Sequence, residues 1–109
     1  MEPTLVRYAD VLAVEALPGI FRRTLAWGER SMVVESTFEA GAEMGVHAHP
    51  HEQITYLVDG ELEMKVGGDT HVLAHGDSLL VPPEVPHGAR AQKKSVAIDA
   101  FSPPREEFK

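Results

Sequence analysis

Short runs of apolar and β-branched residues, separated by turn-forming residues, make up most of the sequence from residue 11 to residue 101. The 8 prolines and 9 glycines divide the chain into pieces that are mostly too short for a stable helix. Such runs are typical of β-strands. The pattern predicts an all-β protein with strands at residues 11–16, 20–26, 32–38, 45–49, 53–58, 61–66, 70–73, 78–81, 87–91 and 96–101.

Glycine-containing turns connect these predicted strands. Asp59-Gly60 is a strong signal for a two-residue hairpin, because both positions favour positive φ. Gly67-Gly68-Asp69 predicts a second hairpin, and residues 75–77 (His-Gly-Asp) predict a turn before the strand at 78–81. Strands this short and numerous predict a sandwich, a jelly roll or a barrel, since these folds leave few sheet edges exposed.

Composition and charge narrow the classes of function. The length of 109 residues suits one domain, which we place at residues 1–109. Ten basic and 17 acidic residues produce a formal net charge of -7, which repels nucleic acid. The basic clusters Arg22-Arg23 and Lys93-Lys94 are too short to form a phosphate-binding track. We therefore expect no nucleic-acid partner.

Compartment and redox chemistry follow from what the sequence lacks. There is no cysteine, which excludes disulfides, thiolate metal sites and cysteine nucleophiles. No apolar run approaches the roughly 20 residues that span a bilayer. The N-terminal residues lack the basic start and apolar stretch of a signal peptide. We expect no membrane partner and a cytoplasmic location.

A histidine cluster at residues 47–51 is the strongest chemical signal. Residues two apart in a strand point to the same face, so His47 and His49 would converge on one point. Pro50 ends the strand, and the chain resumes near Gln53, whose amide oxygen would reach the same point. His87 follows a proline-rich turn that fixes where the next strand begins.

We predict that these side chains hold one divalent transition metal ion through His47, His49, Gln53 and His87. The alternative is a set of solvated surface histidines. We assign that alternative to His51, His71 and His75.

Two segments carry a family resemblance. Segment 41–60, which contains the H-x-H pair and Gln53, resembles the first cupin motif, and segment 76–91, which contains Pro86-His87, resembles the second. The resemblance implies a cupin double-stranded β-helix barrel (a jelly roll) with the metal inside one end, and often a homodimer. Gln53 stands where most cupins have Glu, and Ala91 stands where the second motif often has Asn.

The neutral ligand set has a chemical consequence. Three imidazoles and one amide leave the full charge of a divalent ion uncompensated, whereas a carboxylate would help to stabilise a higher oxidation state. The set therefore favours a fixed-valence Lewis acid over an oxygen-activating centre, and it leaves room for a small anionic substrate. Imidazole binds Ni, Zn, Mn and Fe, so the ligand set does not determine the identity of the metal.

The last predicted strand and the tail at 102–109 hold three further candidates. Asp99 and Phe101 share one strand face, and Arg105 follows two prolines that stiffen the chain. Asp99 would then face either solvent or a cavity, and the alternative to a functional role is a weak surface ion pair with Arg105. The tail is either frayed or folded over the barrel mouth. The other strand face, which we predict to be the core face, carries Val96, Ile98 and Ala100.

The stretch from Asp99 to residue 106, taken with residues 49–53, resembles the pectin-degradation cupins of the KdgF type. That group opens the ring of 4,5-unsaturated uronates. The resemblance spans roughly residues 41–106 and implies proton transfer by Asp99, sugar packing by Phe101 and carboxylate pairing by Arg105. Thr55 stands where we expect a further amide in ring-opening members.

We therefore predict a metal-dependent enzyme that acts on a small carboxylated sugar, with uronate ring opening as the reaction. Three alternatives stay open. They are a non-catalytic ligand-binding or sensing cupin, a metal-dependent dioxygenase, and an epimerase or isomerase of a different sugar acid.

Overall fold

The computed structural model describes residues 2–109, which form eight antiparallel strands and two short 3-10 helices joined by turns and loops. The prediction of an all-β protein is confirmed. The helices are Tyr8–Asp10 and Glu106–Phe108. The strands are β1 Val14–Leu17, β2 Ile20–Trp27, β3 Met32–Phe38, β4 Glu43–His47, β5 Glu52–Val66, β6 Asp69–Leu73, β7 Ser78–Val81 and β8 His87–Ser102.

The two longest strands, β5 and β8, organise the barrel. They pair with each other from Glu52–Ser102 at one end to Val66–His87 at the other. The first half of β8 lies between β4 and β5, and its second half lies between β3 and β5. The remaining strands extend the sheet in the order β1-β2-β3-β8-β5-β6, with β7 paired to the start of β5. The strands β5 and β8 therefore contribute to both halves of the jelly roll.

The hairpin predicted at Asp59-Gly60 is wrong, because the chain does not reverse there. β5 runs through both residues, and its register against β8 shifts on either side of them. Gly60 has a φ of 101°. A Cβ at this position would overlap Ser95 and the carbonyl oxygen of Lys94. The positive φ therefore serves a bulge that bends a long strand, where local sequence alone favours a turn.

Several strand boundaries also differ from the prediction. The two pairs of strands predicted at 53–58 and 61–66, and at 87–91 and 96–101, are the single strands β5 and β8. β4 ends at His47, two residues earlier than predicted. The hairpin at Gly67-Gly68 is confirmed, since it joins β5 to β6. Between residues 2 and 109, the structure contains no helix that is both long and apolar enough to cross a membrane.

The predicted core face of the last strand is wrong. Ala97 and Phe101 are 1% and 3% exposed, whereas Ile98 is half-buried and Ala100 is exposed. The odd-numbered residues therefore point into the barrel, and Asp99 points inward with them. The aliphatic residues belong to the outer face, where neighbouring strands cover them in part.

The C-terminal tail is folded back over one end of the barrel. The ring of Phe108 packs against that of Phe101 with 5.9 Å between centroids. The hydroxyl of Thr24 donates a hydrogen bond of 2.7 Å to the carbonyl oxygen of Phe108. Of the two alternatives for the tail, the structure shows the folded one, and the site at this end of the barrel is bounded by it.

Candidate metal centre

Three of the four predicted ligands meet at the junction of β4 and β8. His47, the last residue of β4, is paired in register with His87, the first residue of β8. The His49 ring lies 5.7 Å from that of His47 and 4.8 Å from that of His87, centroid to centroid. One ring nitrogen from each histidine lies within 4.8 Å of the others. This geometry is suited to chelation of one ion.

The local reason for the convergence differs from the predicted one. His49 lies beyond the end of β4, so it does not share a strand face with His47. Instead, the chain turns after His47, and the carbonyl oxygen of His49 accepts a hydrogen bond of 2.8 Å from the backbone N–H of Glu84. This bond holds the H-x-H segment against the turn that leads into β8.

Backbone carbonyls set the tautomer of all three imidazoles. Each Nδ1 lies 2.9–3.0 Å from a carbonyl oxygen two residues away in the chain. Because a carbonyl oxygen only accepts, each Nδ1 carries the hydrogen and each Nε2 carries the lone pair. The carbonyls that fix His47, His49 and His87 belong to Gly45, His51 and Val85.

Gln53 brings a fourth candidate ligand atom to the same point. Its Nε2 donates to the Thr55 hydroxyl at 3.0 Å and to an Asp99 carboxylate oxygen at 3.3 Å, which orients the amide. Its Oε1 then faces the Nε2 of His49 at 3.0 Å, and both atoms are acceptors. The Nε2 of His87 is buried without a hydrogen-bond partner. A cation satisfies all of these lone pairs, so the residues fit a divalent metal ion.

Burial prepares the histidines for this role. His49 and His87 are buried, and His47 is partly buried. Desolvation lowers the pKa of His49 and of His87 below the ordinary value, because the imidazolium form loses hydration in the barrel. Both imidazoles are therefore neutral at pH 7, and the neutral form is the one that binds a metal.

Asp99 lies next to the candidate ligands. Thr55 faces it in register across β5 and β8 and donates a hydrogen bond of 2.6 Å to its carboxylate. Desolvation raises the pKa of Asp99 to about 6, although the hydrogen bonds from Thr55 and Gln53 act in the opposite direction. Asp99 makes no ion pair with Arg105, so the alternative of a surface ion pair is wrong.

The pKa of Asp99 predicts how stability depends on pH in metal-free protein. Because the folded-state pKa of about 6 lies above the ordinary value of 3.8, ionisation favours the unfolded chain. The contribution of Asp99 is fully present below 3.8 and is lost as the pH rises through about 6. The free energy of unfolding of Asp99→Asn should therefore rise relative to that of wild type by about 1–3 kcal/mol as the pH increases from about 4 to about 8. Urea denaturation of both proteins, each stripped of metal with a chelator, measures this difference across the pH range. A difference that does not change with pH would contradict the raised pKa of Asp99.

Phe101 and Arg105 close the site at the barrel end. The Phe101 ring lies 5.8 Å from that of His49. The guanidinium carbon of Arg105 lies 5.2 Å from the Phe101 centroid and 4.1 Å from the Phe108 centroid. Its side chain is 15% exposed and forms an ion pair of 3.3 Å with Glu107, which is 59% exposed. The tail thus places an aromatic wall and a guanidinium beside the histidines.

One cavity connects these groups. The space inside it is about 620 Å³ when the solvent at its open mouth is included. Three polar residues of the lining were not predicted from sequence. The predicted strands at 20–26, 32–38 and 53–58 already contain them, and alternation with Ile20, Val34 and Gln53 places each of them on the same strand face as a cavity-lining residue. The three residues are Arg22, Ser36 and Thr55.

Comparison with known proteins agrees with this architecture. The model of the cupin domain family matches residues 34–99. The pectin degradation protein KdgF of Dickeya dadantii (strain 3937) is 35% identical over 92 residues, which cover 83% of this chain and 84% of that protein.

Two solved structures superpose on nearly the whole chain. An RmlC-like cupin from Shewanella frigidimarina NCIMB 400 has a TM-score of 0.93 and 38% identity, and the match covers 99% of this chain and 97% of that one. KdgF from Halomonas sp. has a TM-score of 0.93 and 32% identity, with 99% and 100% covered. The family match includes both motif segments, 41–60 and 76–91. The chain therefore belongs to the cupin family and resembles its KdgF members.

Proposed function

We propose that this cupin is a metal-dependent enzyme that opens the ring of 4,5-unsaturated uronates. The observation that carries the proposal is the link between a candidate metal ligand and a protonatable carboxylate. The Gln53 amide reaches the His49 imidazole with its oxygen and Asp99 with its nitrogen. The likeness to two proteins named KdgF, one of them a pectin degradation protein, supports the choice of substrate class.

His47, His49, Gln53 and His87 would hold the ion. When bound, a divalent ion at this point supplies Lewis-acid polarisation of substrate oxygens. The four protein ligands are neutral, so the charge of the ion is available to attract an anionic substrate. We propose Ni, Zn, Mn or Fe as the metal, since imidazole accepts each of them.

Asp99 is the residue that we propose to move the proton. Ring opening breaks the bond between C1 and the ring oxygen, removes the proton of the anomeric hydroxyl, and adds one proton at C4. The product is a keto-aldehyde with the same atoms as the substrate. In metal-free protein the pKa of the Asp99 carboxyl group is about 6, and a group with a pKa in this range accepts and returns a proton readily near neutral pH. Asp99 is the one acidic residue among the described residues that line the cavity.

Phe101 and Arg105 would hold the sugar. Phe101 is 3% exposed and lines the cavity, where its ring packs against a sugar face and excludes water. Arg105 would exchange its ion pair with Glu107 for the substrate carboxylate, because a pair with so exposed a partner contributes little. A homodimer and a cytoplasmic location stay predictions.

The test is the rate at which an unsaturated galacturonate monomer loses its ultraviolet absorbance. Metal-loaded protein should accelerate this loss well above the spontaneous rate, and chelated protein should not. Proton NMR should identify a linear keto-aldehyde. Binding of the sugar without turnover would instead support the ligand-binding alternative, and oxygen consumption would support the dioxygenase.

A further inference from the structure

The lining of the cavity contains two guanidinium groups, of which the ring-opening proposal uses one. The guanidinium carbons of Arg22 and Arg105 each lie 4.1 Å from the centroid of the Phe108 ring. Both residues line the cavity. We propose that Arg22 and Arg105 together form a carboxylate-binding subsite, distinct from the candidate metal ligands, that selects sugar acids over neutral sugars. This inference rests on the proposed function only for the identity of the reacting sugar.

The strand β2 directs Arg22 inward. Its neighbours at alternate positions are Ile20, which is 1% exposed, and Thr24, whose hydroxyl bonds to the tail. Arg23 points the other way, with its guanidinium 4.9 Å from the Tyr8 ring and paired with a glutamate outside the cavity. Adjacent arginines therefore differ in role, and only Arg22 reaches the cavity.

Among the described residues, Arg22 forms no ion pair of its own, although the Glu107 carboxylate that pairs with Arg105 also acts on it. Arg23 and Arg105 each form an ion pair, but within residues 2–109 none is formed by Arg22. Burial lowers the pKa of Arg22 and the nearby positive charge of Arg105 lowers it further, while the Glu107 carboxylate acts in the opposite direction. Two like charges held on one aromatic ring repel each other. A bound carboxylate removes this repulsion and satisfies both guanidinium forks, each of which matches carboxylate geometry.

The sheet register places the groups in a sequence along the barrel. Arg22 is paired with Ser36, and Ser36 with Ala97. Asp99 lies one inward position further along β8, and Phe101, which is paired with Gln53, lies one further still. The row of Asp99 thus lies between the backbone row of Arg22 and that of the candidate ligand Gln53. The guanidinium carbon of Arg105 lies 5.2 Å from the centroid of Phe101, so a sugar acid held by its carboxylate at the arginines would lie beside Asp99 and the imidazoles.

Calorimetry on metal-loaded protein tests the subsite with galacturonate, a saturated sugar acid that cannot undergo the reaction, and with galactose as its neutral counterpart. Wild type should bind galacturonate and should bind galactose at least about tenfold more weakly. Arg22→Gln should weaken galacturonate binding about tenfold or more without changing metal content. Arg22→Lys should recover part of the loss, because it keeps the charge without the fork. Arg23→Gln is the matched control and should bind as wild type.

Two results would overturn the subsite. One is unchanged galacturonate binding by folded Arg22→Gln, with folding verified by circular dichroism. The other is equal binding of galacturonate and galactose by wild type, or of neither. These outcomes are independent of catalysis. A wild-type protein that binds galacturonate through Arg22 but opens no unsaturated ring would refute the proposed reaction and uphold the subsite.

Discussion

Asp99→Asn is expected to retain the metal content of the wild-type protein and to open unsaturated uronates at least about a hundredfold more slowly. Asparagine has nearly the same size and still accepts the hydrogen bond that Thr55 donates at 2.6 Å in the wild type. It cannot take up and return a proton. The loss should therefore be in kcat, with a smaller change in KM, because the contact that is lost belongs to the transition state.

The matched control is Asp69→Asn, the same change at an exposed position of β6. Its metal content and turnover should equal those of wild type. Metal analysis and steady-state kinetics on both variants make the comparison. If Asp99→Asn turns over as fast as wild type, Asp99 does not move the proton, and the proposed mechanism fails even if the metal site stands.

His49→Ala should lose the metal. It removes the imidazole whose Nε2 faces the Gln53 oxygen at 3.0 Å, so the proposed ion would keep only three of its four protein ligands. Loss of an outer partner alone typically costs 10–100-fold in metal affinity, so loss of a ligand should cost at least about a hundredfold. Turnover should fall with metal occupancy.

Thermal unfolding reports the same event without an activity assay. A divalent ion at about 100 times its Kd stabilises the folded protein by roughly 2.7 kcal/mol, and His49→Ala should lose this stabilisation. His71→Ala is the control, because His71 is an exposed residue of β6 outside the cluster. An equal rise of Tm on metal addition in His49→Ala and in wild type would show that the ion binds elsewhere.

The candidate metal ligands could be predicted from the sequence because the pattern that identifies them lies within short segments of the chain. The H-x-H spacing, the proline after it and the later Pro86-His87 pair identify His47, His49 and His87 as a set, and the structure brings them together. The reason given for their convergence was partly wrong, since β4 ends before His49. The predicted convergence is still correct, because the turn that follows β4 places the rings of His47 and His49 on the same side of the chain, as a longer strand would also have done.

The face of the last strand that points into the barrel could not be predicted in the same way. Ala97 and Phe101 alternate with the aliphatic residues Val96 and Ile98, and alternation alone does not show which face is inside. The face is set by pairing with β3 and β5, which are remote in sequence. A shift of one position would exchange every inward residue for an outward one, so no local pattern carries the answer.

The sequence by itself determined the all-β class, the cupin resemblance and the four neutral candidate ligands, because these depend on residue types at short spacing. Tertiary structure decided that Gly60 bends a strand where a hairpin was expected, that Asp99 points into the barrel beside Gln53, and that Arg22 and Arg105 line the same cavity. The physical reason is that burial and hydrogen bonding are set by non-local strand pairing. The same side chain would be an ordinary surface group one register away.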